Sequence, residues 1–155
     1  MRFFREKFPF YFVKIFCGSV KIGLQKRLVL LRRDWFRSIA KMIPVDAWKP
    51  VSADVELLNR CKKAIRQVVP DADVILYGSH ARGDADEYSD YDILVLTDGP
   101  ADIPVHKKMI DCIYPLELDT GAVLTLAIYN KQQWDTPLYR AMPFHKNVDR
   151  EGVLL

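Results

Sequence analysis

A chain of 155 residues, half of them hydrophobic and 28% charged, fits a single globular domain with a core of ordinary size. The formal net charge of +3 is unevenly distributed, since residues 1–41 carry eleven Lys and Arg against two acidic residues and residues 42–155 carry a net charge of −6. No apolar run approaches the ~20 residues of a membrane span, and three widely spaced cysteines suit neither a disulfide framework nor a zinc motif, so we expect a cytoplasmic protein.

Residues 1–48 are predicted to form an N-terminal extension, separate from a domain at 49–155 that begins after Lys49-Pro50. Apolar residues recur every three or four positions over 24–40, a pattern typical of a basic amphipathic helix that binds a membrane surface or a nucleic acid. The competing interpretation is that residues 1–41 are disordered or lie upstream of a true start at Met42. Because the rest of the chain is acidic, we do not expect nucleic acid as a partner of the domain.

Helices and strands alternate along the predicted domain. The elements expected are, in chain order, a helix over Ser52–Val69, strands over Val74–Tyr77 and Tyr91–Thr97, a helix over Pro104–Leu118, a strand over Val123–Tyr129, a short helix or loop near Trp134, a loop through Pro137 and Pro143, and a tail over Val148–Leu155. This order favours an α/β (α+β) fold built on one central sheet.

The segment that joins the first two strands, Gly78–Asp92, concentrates polar and small residues. Gly78 follows a strand and allows the backbone to turn close to a ligand. Ser79 then falls in the first turn of a short helix, and Arg82, three residues later, can reach a phosphate from the same helix face. The start of this segment therefore predicts a phosphate-binding site.

Asp90 and Asp92 open the next predicted strand. Side chains at positions i and i+2 of a strand point to the same side and lie roughly 6.5–7 Å apart. Two ionised carboxylates in that arrangement suit Mg²⁺, which prefers oxygen ligands. Ser89 can fix the preceding loop through a local hydrogen bond. Together these residues are typical of phosphoryl-group chemistry.

The segment resembles the signature of the polymerase-β-like nucleotidyltransferase superfamily, G-S-x-A-R-G-x-A-x-x-x-S-D-x-D. All nine fixed positions match, at Gly78, Ser79, Ala81, Arg82, Gly83, Ala85, Ser89, Asp90 and Asp92. Each would match by chance about once in ten to twenty, so coincidence is negligible. The resemblance covers residues 52–155, is closest in kind to the small stand-alone minimal nucleotidyltransferases, and implies a central mixed sheet with flanking helices.

The resemblance also implies roles for these residues. Gly78, Ser79, Arg82 and Ser89 would bind the nucleotide, and Asp90 and Asp92 would be catalytic and would bind Mg²⁺ in a site with room for two ions. An NTP, which we expect to be ATP, would then pass its nucleotidyl group to an acceptor hydroxyl with loss of pyrophosphate.

Superfamily enzymes usually carry a third carboxylate on the next strand, and this chain departs from that pattern. The strand Val123–Tyr129 contains no acidic residue, and Thr125 or Leu124 stands at the expected position. Glu117 and Asp119 are the nearest substitutes, and we carry Glu117 forward as a catalytic residue. If Glu117 points elsewhere, Thr125 faces the aspartate pair and transfer should be slow or absent, which is the outcome we favour.

Two functions from different classes follow. The first is a Mg²⁺-dependent nucleotidyltransferase that modifies an unknown acceptor, which could be a protein. The second is an antitoxin-like, nucleotide-binding partner of a HEPN-type toxin with little or no turnover. The small size favours dependence on a partner, because no separate acceptor-binding domain is evident.

Overall fold

The computed structural model describes residues 42–44, 48 and 52–155. Over these ranges, none of the helices has both the length and the apolar character that a membrane crossing requires. The amphipathic helix expected at 24–40, like every other expectation for residues 1–41, lies outside the described residues.

Between Ser52 and Asn130, helices and strands follow the order expected from the sequence. The helices are α1 (Ser52–Val68), α2 (Gly78–Arg82), α3 (Ile103–Thr120), α4 (Lys131–Trp134), α5 (Pro137–Ala141) and α6 (Pro143–Glu151). The strands are β1 (Ile43–Pro44), β2 (Asp73–Tyr77), β3 (Tyr91–Thr97), β4 (Leu124–Asn130) and β5 (Val153–Leu154). The elements predicted at the centre of the chain are confirmed to within a few residues at their ends.

The strands form one mixed sheet in the order β1-β5-β2-β3-β4. Strands β2 and β3 are antiparallel, as are β2 and β5, whereas β3 and β4 are parallel, as are β1 and β5. The parallel β3–β4 connection runs through α3, as a crossover between parallel strands requires. The predicted α/β fold with a central mixed sheet and flanking helices is confirmed.

Each face of the sheet is covered by its own apolar cluster, because successive strand side chains point to opposite faces. We call the first the α1–α3 face. Its members include Val74, Leu76, Ile93 and Val95 of the sheet, packed against buried residues of α1 and α3. The second, which we call the α4–α6 face, contains Ile75, Leu94, Leu96, Trp134 and Val148, with Tyr129 and Phe144 packed beside them.

The prediction of a loop through Pro137 and Pro143 is wrong, because helices α5 and α6 begin at these two prolines. Proline is favoured in the first turn of a helix, where its missing N–H has no intrahelical partner to lose. The expected tail is likewise part of the core. Val148 and Val153 are fully buried, and β5 lies between β1 and β2 in the sheet.

The predicted boundary at residue 49 falls after elements that belong to the sheet. Met42 is buried, and Ile43–Pro44 pairs with Val153 and Leu154 of β5. The N–H of Ile43 also donates to the carbonyl of Gly152 at 3.0 Å. Among the described residues, the packed domain therefore includes the stretch from Met42 to Pro44.

Candidate active site

The site begins where β2 turns into α2. Gly78 has a φ of +76°, which only glycine adopts without strain. A Cβ at this position would overlap Oδ2 of Asp92 and would lie 3.2 Å from the Asp92 carboxyl carbon. The glycine at the head of the motif thus lets the backbone of α2 lie against the carboxylate of β3.

Asp90 and Asp92 lie together at the start of β3. Asp90 is exposed and directly precedes the strand, whereas Asp92, its second residue, is half-buried. Burial and the negative charge of Asp90 raise the pKa of Asp92 above its usual value, and the nearby His80 and Arg82 partly oppose that shift. Two carboxylates crowded in this way are better tolerated when a cation lies between them.

Asp92 is also the middle member of a row of three side chains that crosses the sheet. Asp92 is paired with Tyr77 of β2 on one side and with Thr125 of β4 on the other. All three belong to the α4–α6 face, and Thr125 is exposed. Burial and the charge of Asp92 raise the pKa of Tyr77 to about 12, so this phenol stays protonated beside the carboxylate.

Glu117 lies away from this row. Helix α3 packs on the α1–α3 face through Met109, Ile113 and Leu116, whereas Asp92 belongs to the opposite face. Oε1 of Glu117 accepts a hydrogen bond from the N–H of Leu124 at 2.9 Å. Because Oε1 of Glu117 is bonded to the backbone of β4 and α3 packs on the face opposite Asp92, we do not include Glu117 in the candidate site.

Helix α2 carries Ser79 and Arg82, as expected, and ends at Gly83. Gly83 has a φ of +80°, and its N–H donates to the Ser79 carbonyl at 2.9 Å. Arg82 is held by two carboxylates, with Nε 3.1 Å from Asp84 Oδ2 and Nη1 3.1 Å from Glu151 Oε1. The Arg82 side chain is 43% exposed, and its charge is close enough to Asp92 to oppose the rise in that group's pKa.

Ser89 fixes the loop that leads to Asp90, as its local hydrogen-bonding capacity suggested. Its Oγ accepts from the N–H of Asp86 at 3.0 Å and donates to Asp86 Oδ1 at 2.9 Å. The same carboxylate accepts from the N–H of Tyr88 at 3.0 Å, and these hydrogen bonds lower the pKa of Asp86. Ser89 therefore acts in the structure as a loop-forming residue.

The comparison with protein families assigns residues 58–145 to a family described as "Nucleotidyltransferase domain". The match covers more than half of the chain and includes Asp90, Asp92 and all of α2. The chain belongs to this nucleotidyltransferase family.

Two proteins of Methanocaldococcus jannaschii, each named "Putative protein adenylyltransferase", are similar to this chain. One is 34% identical over 79 residues, which cover 50% of this chain and 80% of the relative. The other is 33% identical over 100 residues, which cover 64% of this chain and 91% of the relative. Nucleotidyl transfer is therefore the activity class of this nucleotidyltransferase.

The donor set of the nucleotidyltransferase site fits a magnesium ion. Within the described residues, no cluster of three or more Asp, Glu, His or Cys side chains is placed to hold a metal. Asp90 and Asp92 are two carboxylates close enough for the charge of one to raise the pKa of the other, together with burial. Mg²⁺ in proteins is commonly held by one or two carboxylates, with substrate phosphates and water as the remaining ligands. An aspartate pair in which burial and the charge of Asp90 raise the pKa of Asp92 is suited to that mode of binding.

Sequence reasoning missed a set of side chains behind the aspartate pair. The ring of His80 stacks on Tyr91 with centroids 3.7 Å apart and planes 16° apart. Nε2 of His80 lies 3.1 Å from the carbonyl of Ser89, and the Tyr91 hydroxyl donates to Asp54 Oδ1 at 2.7 Å. The only sequence signal was the position of His80 and Tyr91 inside the motif, at sites where the signature fixes no residue.

Proposed function

We propose that this chain transfers AMP from ATP, in a Mg²⁺-dependent reaction, to a hydroxyl group of a protein acceptor. The observation that carries the proposal is the packing of the Asp92 carboxylate against Gly78, beside Asp90, which joins a carboxylate pair to the start of a phosphate-binding turn. The names of the two archaeal relatives support both the adenylyl group and a protein as acceptor.

Each element of the site has a task in this proposal. The backbone at Gly78 admits the nucleotide phosphates close to α2, and the Ser79 hydroxyl binds them. Arg82 contributes positive charge from its exposed side while Glu151 and Asp84 hold it in place. Ser89 acts on the nucleotide site indirectly, through the loop that carries Asp90.

Asp90 and Asp92 would hold Mg²⁺ in the proposed site. When bound, the ion supplies positive charge that offsets the charge of the phosphate oxygens. The carboxylates keep that charge at the end of β3, next to the residues that bind the phosphates. Neither aspartate pairs with a cationic side chain in the described residues, which leaves both open to a cation.

A second candidate function follows from Thr125. A superfamily enzyme would have a carboxylate at this position, whereas Thr125 offers a hydroxyl beside Asp92. A site with two acidic residues supports nucleotide binding with slow transfer. That behaviour suits an antitoxin-like partner of a HEPN-type toxin that acts by binding.

The two candidates are separated by incubating the protein with ATP, CTP, GTP and UTP, each labelled at the α-phosphate, in a lysate of the source cells with Mg²⁺. The transferase proposal predicts a labelled protein band with ATP that is lost with Asp92→Asn. Nucleotide binding without any labelled product in wild type would favour the binding partner. Label from another NTP would change the nucleotide assignment.

A further inference from the structure

Three side chains form a continuous support behind the aspartate pair. We call His80, Tyr91 and Asp54 the rear strut. The imidazole of His80 stacks on the Tyr91 ring at 3.7 Å between centroids, and the Tyr91 hydroxyl donates to Asp54 Oδ1 at 2.7 Å. The rear strut thereby links three elements, since Asp54 belongs to α1, His80 to α2 and Tyr91 to β3.

The rear strut holds both residues that flank Asp90. Nε2 of His80 lies 3.1 Å from the Ser89 carbonyl, and since a carbonyl can only accept, Nε2 carries the proton and donates. The residue after Asp90 is Tyr91, whose ring lies under the same imidazole. A single side chain of α2 therefore contacts the backbone before Asp90 and the ring after it.

The loop before Asp90, which is itself exposed, is held at two other places. Asp84 is joined to α2, because its N–H donates to the Ser79 carbonyl at 3.1 Å and its carboxylate accepts from Arg82. Within residues 85–90, the other hydrogen bonds run between Asp86, Tyr88 and Ser89 and do not connect this stretch to α2. In the part of the chain that the structure describes, the bond from His80 to Ser89 joins the α2 side chains to residues 85–90.

We propose that His80 is a positioning residue that sets the distance between Asp90 and Asp92, and so the affinity of the pair for a divalent cation. This inference rests on the proposed function, because it takes the aspartate pair as the cation site. His80 acts through the Ser89 carbonyl and the Tyr91 ring and does not touch the cation. Without this hydrogen bond, residues 85–90 are no longer tied to the side chain of His80. Binding of the cation must then also order Asp90, which lowers the affinity.

Titration with Mn²⁺, which takes the same oxygen ligands as Mg²⁺ and is followed by electron paramagnetic resonance, tests this role without nucleotide or acceptor. The variants are His80→Phe, which keeps the stacking and loses the donor, and His80→Gln, which keeps a donor and loses the stacking. Tyr88→Phe is the matched control, because Tyr88 is 86% exposed in the same loop. Asp90→Asn serves as the reference for loss of the site.

The expected result is a Mn²⁺ affinity about three- to tenfold weaker in His80→Phe, a loss of the size that one hydrogen bond contributes. His80→Gln should stay within about threefold of wild type, because its amide restores the donor. Tyr88→Phe should bind as wild type does. In transfer assays, His80→Phe should require more Mg²⁺ for half-maximal rate, with an unchanged KM for the nucleotide once Mg²⁺ is saturating. If His80→Phe does not fold, His80→Ala, which makes no new contact, replaces it with the same expected loss.

Wild-type Mn²⁺ affinity in His80→Phe and His80→Ala would overturn the positioning role while leaving the aspartate site intact. Equal weakening in His80→Phe and His80→Gln would overturn the role of the hydrogen bond. Failure of the proposed function has a different signature. Wild type would then bind no Mn²⁺, or Asp90→Asn would bind it unchanged, and the positioning role would fall with the site.

Discussion

Thr125 lies directly beside Asp92 across the parallel β3–β4 pair, and both side chains belong to the α4–α6 face. Neighbouring strands lie about 4.8 Å apart, so a carboxylate at position 125 would reach the same cation as Asp92. We therefore propose that Thr125, rather than Leu124, stands where the resemblance to the superfamily places a third carboxylate.

Thr125→Asp should therefore increase the rate of nucleotidyl transfer. A third carboxylate adds a metal ligand or a proton acceptor, and a well-positioned proton acceptor contributes about 10²- to 10⁴-fold. Pyrophosphate release is the measurement, and Thr125→Asn, with similar size and no charge, is the control. A gain in both variants, or in neither, would contradict the assignment of position 125.

Glu117→Gln should leave transfer unchanged, since Glu117 belongs to a helix on the other side of the sheet and a glutamine oxygen can still accept from Leu124. The same pyrophosphate assay applies. If wild type releases pyrophosphate fast and Glu117→Gln alone loses this activity, our exclusion of Glu117 from the active site is wrong.

Gly78→Ala should cost more stability than Gly83→Ala. Both glycines have positive φ, which costs an alanine about 1–2 kcal/mol, but only at Gly78 does the added Cβ overlap Asp92. The overlap should add roughly 1–3 kcal/mol, as overpacking does elsewhere. Urea unfolding of the two variants isolates this difference, and equal losses would show that the Asp92 carboxylate simply moves aside.

Asp92→Asn should stabilise the protein at pH 7 in the absence of divalent cations. The pKa of Asp92 is raised in the folded state, so ionised Asp92 opposes folding above that pKa. The penalty fades as pH falls through the raised pKa, because folding then favours the protonated acid. Since Asp92 is partly exposed, the gain should stay under about 1 kcal/mol.

Thermal unfolding at pH 7 and pH 4 checks the sign of this effect. The advantage of Asp92→Asn over wild type should be larger at pH 7 than at pH 4. Asp71→Asn, at an exposed site outside the candidate active site, is the control for the loss of one surface carboxylate. A lower melting temperature for Asp92→Asn at pH 7 would contradict the raised pKa.

The local sequence was sufficient to predict β2, α2, β3 and the residues that they carry. The signals that predict these elements are the glycines, the short polar turn and the two buried apolar runs, and each signal spans only a few neighbouring positions. Strands β1 and β5 have two residues each, so their pairing depends on contacts between distant parts of the chain. The face on which Glu117 lies depends on how α3 crosses the sheet, which its nearness to β4 in sequence does not reveal.

Two N-terminal truncations test where the domain begins. A chain starting at Met42 keeps β1 and should unfold at essentially the wild-type temperature with unchanged ATP affinity. A chain starting at Lys49 loses the buried Met42 and β1, and should lose about 2–3 kcal/mol. A loss of more than ~2 kcal/mol in the longer chain would show that residues 1–41 contribute to the core.

The most direct test of the proposed function is calorimetric titration of ATP, with and without Mg²⁺, into wild type and into the double variant Asp90→Asn, Asp92→Asn. We expect Mg²⁺-dependent binding in wild type and its loss in the double variant, which should keep the wild-type fold by circular dichroism. The cause is the loss of both charges that hold the cation. Unchanged Mg²⁺-dependent ATP affinity in the double variant would contradict the assignment of Asp90 and Asp92 as the cation site.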